Sequence, residues 1–277
     1  MKQWILGTLL ACGTIGAVQA GAVQAGAVQT DDALKAAIAG AARAPANAAR
    51  DGARHPYETL NFFGIKPNMT VVELSPGGGW YTEILAPYLR ENGKLIAAGA
   101  DPKSTNDNTR RGAERFQKKL DSNPAAFDKV QLGVFAPPTT YQFAPKGSVD
   151  LVLTFRNIHN WIPSGEANMK TLFVSVYDSL KPGGVFGVVD HRLPASVKQD
   201  EQASSGYLRE DYVIKLIESA GFKLAAKSEI NANPKDKADH EGGVWALPPT
   251  YANQDKDRAK YAAIGESDRM TLKFVKP

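Results

Sequence analysis

Apolar residues in this chain come in short runs, set apart by polar stretches that carry Gly and Pro. Residues 70–74 (TVVEL), 94–98 (KLIAA), 130–135, 149–155 (VDLVLTF) and 185–190 (VFGVVD) each read as a buried strand. Residues 81–90, 108–120 and 167–180 read as helices between them, the last closed by the Lys181-Pro182-Gly183-Gly184 turn. A helix over 210–220 stops at Gly221, and strands follow at 222–230 and 270–275. Ahead of the first strand, Asp31-Asp32 caps a helix that puts Leu34, Ile38 and Ala41 on one face. An Ala-rich linker spans 44–49, and a helix over 56–63 opens at Pro56, closes at Gly64 and turns Leu60 and Phe63 to the core. Residues 231–268 are polar, with Pro and Gly, and read as a long loop of the kind that often carries function. Strand–helix alternation predicts an α/β fold: a Rossmann-like, seven-stranded, mostly parallel sheet with helices on both faces, in one domain. That domain spans 65–277, preceded by a helical segment over 31–64.

The N-terminus has a different pattern. Lys2 precedes a short apolar run over 4–11, too short to span a bilayer, and three near-copies of one small-residue pentad fill 16–30. Val18-Gln19-Ala20 and Val23-Gln24-Ala25 each place small residues at the −3 and −1 positions of a cleavage site. Residues 1–25 are therefore expected to be a signal peptide cut after Ala20 or Ala25, with the mature chain exported to the periplasm. A lipoprotein reading at Cys12 ranks below this, because apolar residues continue beyond it. Cys12 is the only cysteine, so the mature chain would have no disulfide, thiolate metal site or cysteine nucleophile. No transmembrane anchor is expected after signal removal.

Composition narrows the partners. The 277 residues are 43% hydrophobic and 22% charged, enough for a full core. The net charge of +4 comes from 33 basic and 29 acidic residues without a dense basic block, so nothing points to nucleic acid and a small-molecule ligand is expected. No Gly-x-Ser-x-Gly elbow is present for nucleophilic hydrolysis.

In open α/β sheets ligands bind beyond the carboxyl ends of the strands. The first strand ends Glu73-Leu74-Ser75-Pro76-Gly77-Gly78-Gly79-Trp80 and runs into a helix. Glycines there let backbone approach a ligand, and the helix N-terminus offers free N–H groups. Asp101 lies just past the second strand, where a carboxylate reaches ribose hydroxyls. This ordered set, with the Leu180-Lys181-Pro182-Gly183-Gly184 turn before the fifth strand, resembles class I S-adenosylmethionine-dependent methyltransferases over about residues 55–275. More narrowly, Arg54-His55-Pro56, Phe62-Phe63-Gly64 and the stretch from Pro76 to Glu83 resemble a group of exported bacterial predicted methyltransferases. The resemblance implies S-adenosylmethionine as cofactor, held by Glu73, Ser75, Gly77, Gly78, Gly79, Trp80, Asp101, Phe135, Arg156 and Asn157. It departs from the pattern at Ser75, which stands in the place of the family's first glycine, and at the third strand's end, which lacks an acidic residue.

The fourth strand runs into Arg156-Asn157-Ile158-His159-Asn160-Trp161. His159 is the first candidate for a general base, since imidazole titrates near neutral pH. Asn160, Tyr81, Asp190 and His191 complete the candidate catalytic set, and Trp161 is placed to stack on an acceptor. Two other readings stay open: a non-catalytic protein that binds an adenosyl compound or other small ligand, and a metal enzyme using Asp190, His159 and His191 with His240. No local His-x-x-x-His spacing supports the metal, and no metal ligand is assigned.

Overall fold

A computed structural model describes residues 1, 31–141 and 143–277. The expected signal peptide falls almost wholly outside the described residues. Residues 32–277 form one compact unit.

Four helices lead in: α1 (Asp32–Ala39), α2 (Pro45–Ala48), α3 (Asp51–Arg54) and α4 (Pro56–Phe63). There follow β1 (Thr70–Leu74), α5 (Thr82–Leu89), β2 (Lys94–Gly99), α6 (Asp107–Asp121), α7 (Pro124–Phe127), β3 (Gln131–Val134), β4 (Val149–Phe155), α8 (Ile158–Trp161) and α9 (Glu166–Ser179). The chain ends with β5 (Leu180–Leu193), β6 (Leu208–Arg209), α10 (Glu210–Glu218), β7 (Lys223–Ser228), α11 (Arg258–Ile264) and β8 (Arg269–Val275). Seven strands lie in the order β3-β2-β1-β4-β5-β8-β7, and the two-residue β6 pairs with β5 off this path. Strands β1 to β5 pair in parallel, while β8 runs antiparallel to both β5 and β7.

Both faces of the sheet are covered, which is why its central strands are apolar without alternation. Val72, Leu74, Val152 and Val188 pack with Phe173 of α9 and Ile217 of α10. Val71, Leu151 and Leu153 pack on the other face with Leu34 of α1, Leu60 and Phe63 of α4, and Ile84 of α5. Glu73 points to this second face, where Thr82 Oγ1 donates to it at 2.6 Å.

Several expectations are corrected in detail. Ala37, not Ala41, shares the buried face of α1 with Leu34. The 44–49 linker contains the single turn α2, opened by Pro45. The Lys181–Gly184 turn belongs to β5, which starts at Leu180 and carries a register shift against β4. The 231–268 loop holds a 3₁₀ turn (Gly243–Ala246) and α11. Arg192 at the end of β5 ties this segment to the sheet, binding Asp268 at 2.9 Å as well as Glu229, just ahead of it, at 2.7 Å. Inside it, Asp236 takes a hydrogen bond from Tyr207 Oη at 2.9 Å and sits 2.8 Å from His240 Nε2.

Candidate functional site

Two cavities open near the carboxyl ends of the strands. The larger, about 1090 Å³, is floored by Ser75, Gly77 and Gly78 after β1, by Gly99 and Ala100 at the end of β2, and by Phe135 after β3. One wall is α6, from Thr109 to Lys119. The turn after β1 uses left-handed backbone at Ser75 (φ 51°), Gly77 (φ 58°) and Gly79 (φ 76°). Such φ values suit glycine and strain Ser75, the residue standing in a glycine's place. Nothing lies within 4 Å of where a Cβ on Gly78 would be, so the turn presents bare backbone to open space. Gly79 is different: a Cβ there would come within 2.9 Å of the Lys119 stem, which crosses it to reach the buried Glu83. That ion pair seats the α6 wall on α5.

Asn157 closes the cavity from β4. Its amide donates to the Leu74 carbonyl and to Thr154 Oγ1, each at 3.1 Å, tying the ends of β1 and β4 together. Phe135 is buried against Phe143, Tyr141 and Trp161 in edge-to-face contacts, so Trp161 serves this aromatic wall. Asp101 lies between two lining residues and accepts Lys103 N–H at 2.8 Å, a cap on its own turn.

The second cavity is smaller, about 280 Å³, and its walls are charged. Arg50 and Arg54 reach it from the start and end of the α3 turn, Arg156 from the end of β4, His159 from α8, His191 from β5, and Glu266 from the segment before β8. Asn160 and Trp245 also line it. His159 Nδ1 lies 2.8 Å from Asp190 Oδ1, and Asp190 is fully buried. A carboxylate only accepts, so the proton sits on Nδ1, leaving the Nε2 lone pair free. His191 Nδ1 lies 2.6 Å from Ser267 Oγ. Burial, with His159 and Arg156 nearby, pushes His191 well below the usual imidazole range, so this ring stays neutral.

Glu266 gathers the arginines: Arg50 Nε at 2.7 Å, Arg54 Nε at 3.2 Å and Arg269 Nη1 at 3.1 Å. Burial would raise its carboxyl, but Arg54, Arg269 and Arg50 overcome that and hold it at about 2. Arg156 has left-handed backbone (φ 62°), and its N–H donates to the Val189 carbonyl at 2.7 Å.

The structure thus sorts the expected site residues into three groups. Ser75, Gly77, Gly78, Phe135 and Asn157 line the larger cavity. Arg156, His159, Asn160 and His191 line the smaller, with Asp190 behind His159. Glu73, Gly79, Trp80, Tyr81 and Asp101 line neither. Trp80 lies between the guanidiniums of Arg43 and Arg54, each 4.7 Å from its ring, and donates to the Asn47 carbonyl, which pins the leading helices to the turn. Tyr81 stacks on Phe155 at 3.5 Å under α5. Burial pushes the Glu73 carboxyl up to about 8, so it is largely protonated at neutral pH. His240 does not join the other histidines. Among the described residues His159, Asp190 and His191 are the group close enough to share a cation, whereas His240 is held by Asp236. Arg50, Glu266, Ser267 and Trp245 also line the smaller cavity, though no sequence motif marks them. The polar, Pro- and Gly-bearing 231–268 loop was the one available signal for the last three.

No protein-family description matches the chain. The strand order and the solved structures it resembles define its class of fold, that of class I S-adenosylmethionine-dependent methyltransferases. One such enzyme from Aquifex aeolicus superposes with a TM-score of 0.55 at 16% identity, over 83% of this chain and 93% of that one. A possible exported protein of Bordetella parapertussis gives 0.50 at 15% identity, over 85% and 70%. In sequence the chain is 28% identical over 148 residues to an uncharacterized methyltransferase of Synechocystis sp.. That match covers 51% of this chain and 54% of the relative, so the chain spans about half the length of the protein it matches. Among the described residues no helix is long and apolar enough to cross a membrane.

Proposed function

We propose that the chain is an exported S-adenosylmethionine-dependent methyltransferase acting on a small or cell-envelope acceptor, with residues 1–25 as its signal peptide. The observation that carries this reading is the bare backbone of Gly77 and Gly78 facing the larger cavity at the ends of β1, β2 and β3. The cofactor fits these residues. The glycine turn leaves room for its methionine moiety, Ala100 and Pro102 beside Asp101 line the cavity where a ribose would lie past β2, and Phe135 offers an apolar face for adenine. When bound it supplies a methyl group on a sulfonium. The chain's work is to hold the acceptor in line and to take its proton. Residues 156–160 separate the two cavities: Asn157 faces the larger, and Arg156 and His159 the smaller. His159 Nε2 accepts the acceptor's proton, and Asp190 steadies the resulting imidazolium through Nδ1–H, as in other His–Asp pairs.

The test is calorimetric titration of the full-length and residue 26–277 proteins with S-adenosylhomocysteine, beside Gly78→Ala. A Cβ at 78 meets nothing in the fold, so Gly78→Ala should keep its unfolding midpoint and lose at least about tenfold in affinity, or 1.4 kcal/mol. Well-folded protein that binds neither S-adenosylhomocysteine nor S-adenosylmethionine would end the methyltransferase reading. Binding without turnover on any envelope extract would favour a non-catalytic adenosyl-binding protein.

A further inference from the structure

We propose that the smaller cavity binds an oxyanion, a carboxylate or phosphate group, with Arg156 as its central ligand and Arg54 and Arg50 beside it. That this oxyanion belongs to the methyl acceptor rests on the proposed function; the site itself does not.

The argument is one of unmatched charge. Three guanidiniums (Arg50, Arg54 and Arg156) line the cavity, and Glu266 is the one carboxylate in its wall among the described residues; behind the wall, Arg269 pairs with Glu266 and Asp190 with His159. Glu266 is already divided among Arg50, Arg54 and Arg269. The guanidinium of Arg156 makes no hydrogen bond or ion pair among the described residues. Burial, with Arg269, pushes it down to about 10, and burial with Arg156 pushes Arg54 down to about 9; both stay cationic. The Arg156 donors therefore face the cavity rather than a protein acceptor, and a planar guanidinium matches a carboxylate or phosphate edge with two parallel hydrogen bonds. The left-handed backbone of Arg156 holds it at this position.

The other occupant to weigh is a metal cation on His159, Asp190 and His191, whose ligand atoms lie within 4.8 Å of one another. Asp190 Oδ1 already faces both His159 Nδ1 and the His191 N–H, each at 2.8 Å, and Asp190 Oδ2 receives the His159 N–H. A cation there would also face the guanidiniums. The arrangement therefore favours a negative ligand. At about 280 Å³ the cavity holds a small one, with Trp245 as its apolar wall.

The experiment is thermal unfolding and calorimetry of the full chain, treated with chelator, with inorganic phosphate and with malonate, at constant ionic strength set by chloride. Either anion should raise the unfolding midpoint in a saturable way. Arg156→Gln should weaken that binding at least tenfold, Arg50→Gln about threefold, and Arg258→Gln, an exposed control, not at all. The tighter of the two anions names the class. If Arg156→Gln does not fold, Arg50→Gln decides. Equal binding by wild type and both cavity variants, or no anion-specific effect, overturns the proposal. So does anion binding that appears only after zinc is restored, which would make the site a metal centre. S-adenosylhomocysteine titrated into the same samples separates the two ideas: its binding without oxyanion binding refutes this site alone, and the reverse refutes only the methyltransferase reading.

Discussion

The two cavities are built from different materials. The larger is floored by main chain and small residues at the ends of neighbouring parallel strands, with Phe135 as its aromatic side. The smaller is walled by long charged side chains drawn from α3 and the residue before it, the end of β4 and the segment before β8, with the neutral His191 of β5 among them. The first is a consequence of topology, because any chain with this strand order has a crevice there. The second depends on particular residues, so the proposed choice of ligand rests on it.

The largest effect should come from His159, where chemistry is assigned to the smaller cavity. His159→Gln should lower methyl transfer about a hundredfold to ten-thousandfold while S-adenosylhomocysteine binding in the larger cavity stays unchanged. Turnover is read as transfer of labelled methyl to an acceptor found in envelope extracts. Equal losses of turnover and of binding would mean that the cavities are one site and that the comparison fails.

Glu266 tests the smaller cavity as a piece of the fold. A carboxyl held at about 2 rather than 4.5 contributes on the order of 3 kcal/mol at neutral pH. The contribution is complete above pH 4.5 and is lost as pH falls through 2. Glu266→Gln should therefore lower stability by about that amount at pH 7, with the deficit shrinking towards pH 2, as followed by denaturant titration across pH. An undiminished deficit at pH 2 would assign the loss to packing rather than to charge.

How much of this was legible differs between the regions for the same reason. Strands β1 and β4 were readable to the residue because each is a short apolar run with both faces covered. The glycine turn was readable because everything it needs lies within five residues. The smaller cavity was not, since Arg54 and Glu266 are 212 positions apart, and the Arg54-His55-Pro56 motif says nothing of which distant carboxylate it meets. Within 231–268, α11 buries only Tyr261, so its seven residues show no apolar stripe to announce a helix. Tyr81 and Trp80 had the right neighbours in sequence but point into packing, a matter of rotation about α5 that spacing alone does not settle.

Glu73 carries the acidic position of the family pattern, yet it lines neither cavity. With its carboxyl raised to about 8, its contribution is complete below pH 4.5 and is lost as pH rises through 8, so stability should fall across that window. Glu73→Gln should remove the slope and gain about 1 to 2 kcal/mol at pH 7, the gain reduced because an amide has one more buried donor to place. A loss of stability instead would show that Thr82 holds an ionised carboxylate, and the burial argument would be wrong.

Ser75→Gly should have the smallest effect, because two terms oppose. A non-glycine residue at φ 51° carries about 1 kcal/mol or more of backbone strain, which glycine removes. Glycine in turn loses more freedom on folding, about 0.5–1 kcal/mol. The midpoint should thus move up by no more than a few degrees. The informative reading is affinity for S-adenosylhomocysteine, since Ser75 lines the larger cavity beside Gly77. Unchanged affinity means that the hydroxymethyl group is accommodated and the cavity works as main chain alone. A tenfold gain means that the side chain obstructs the ligand, and that this cavity too has been adjusted by a single residue rather than left to topology.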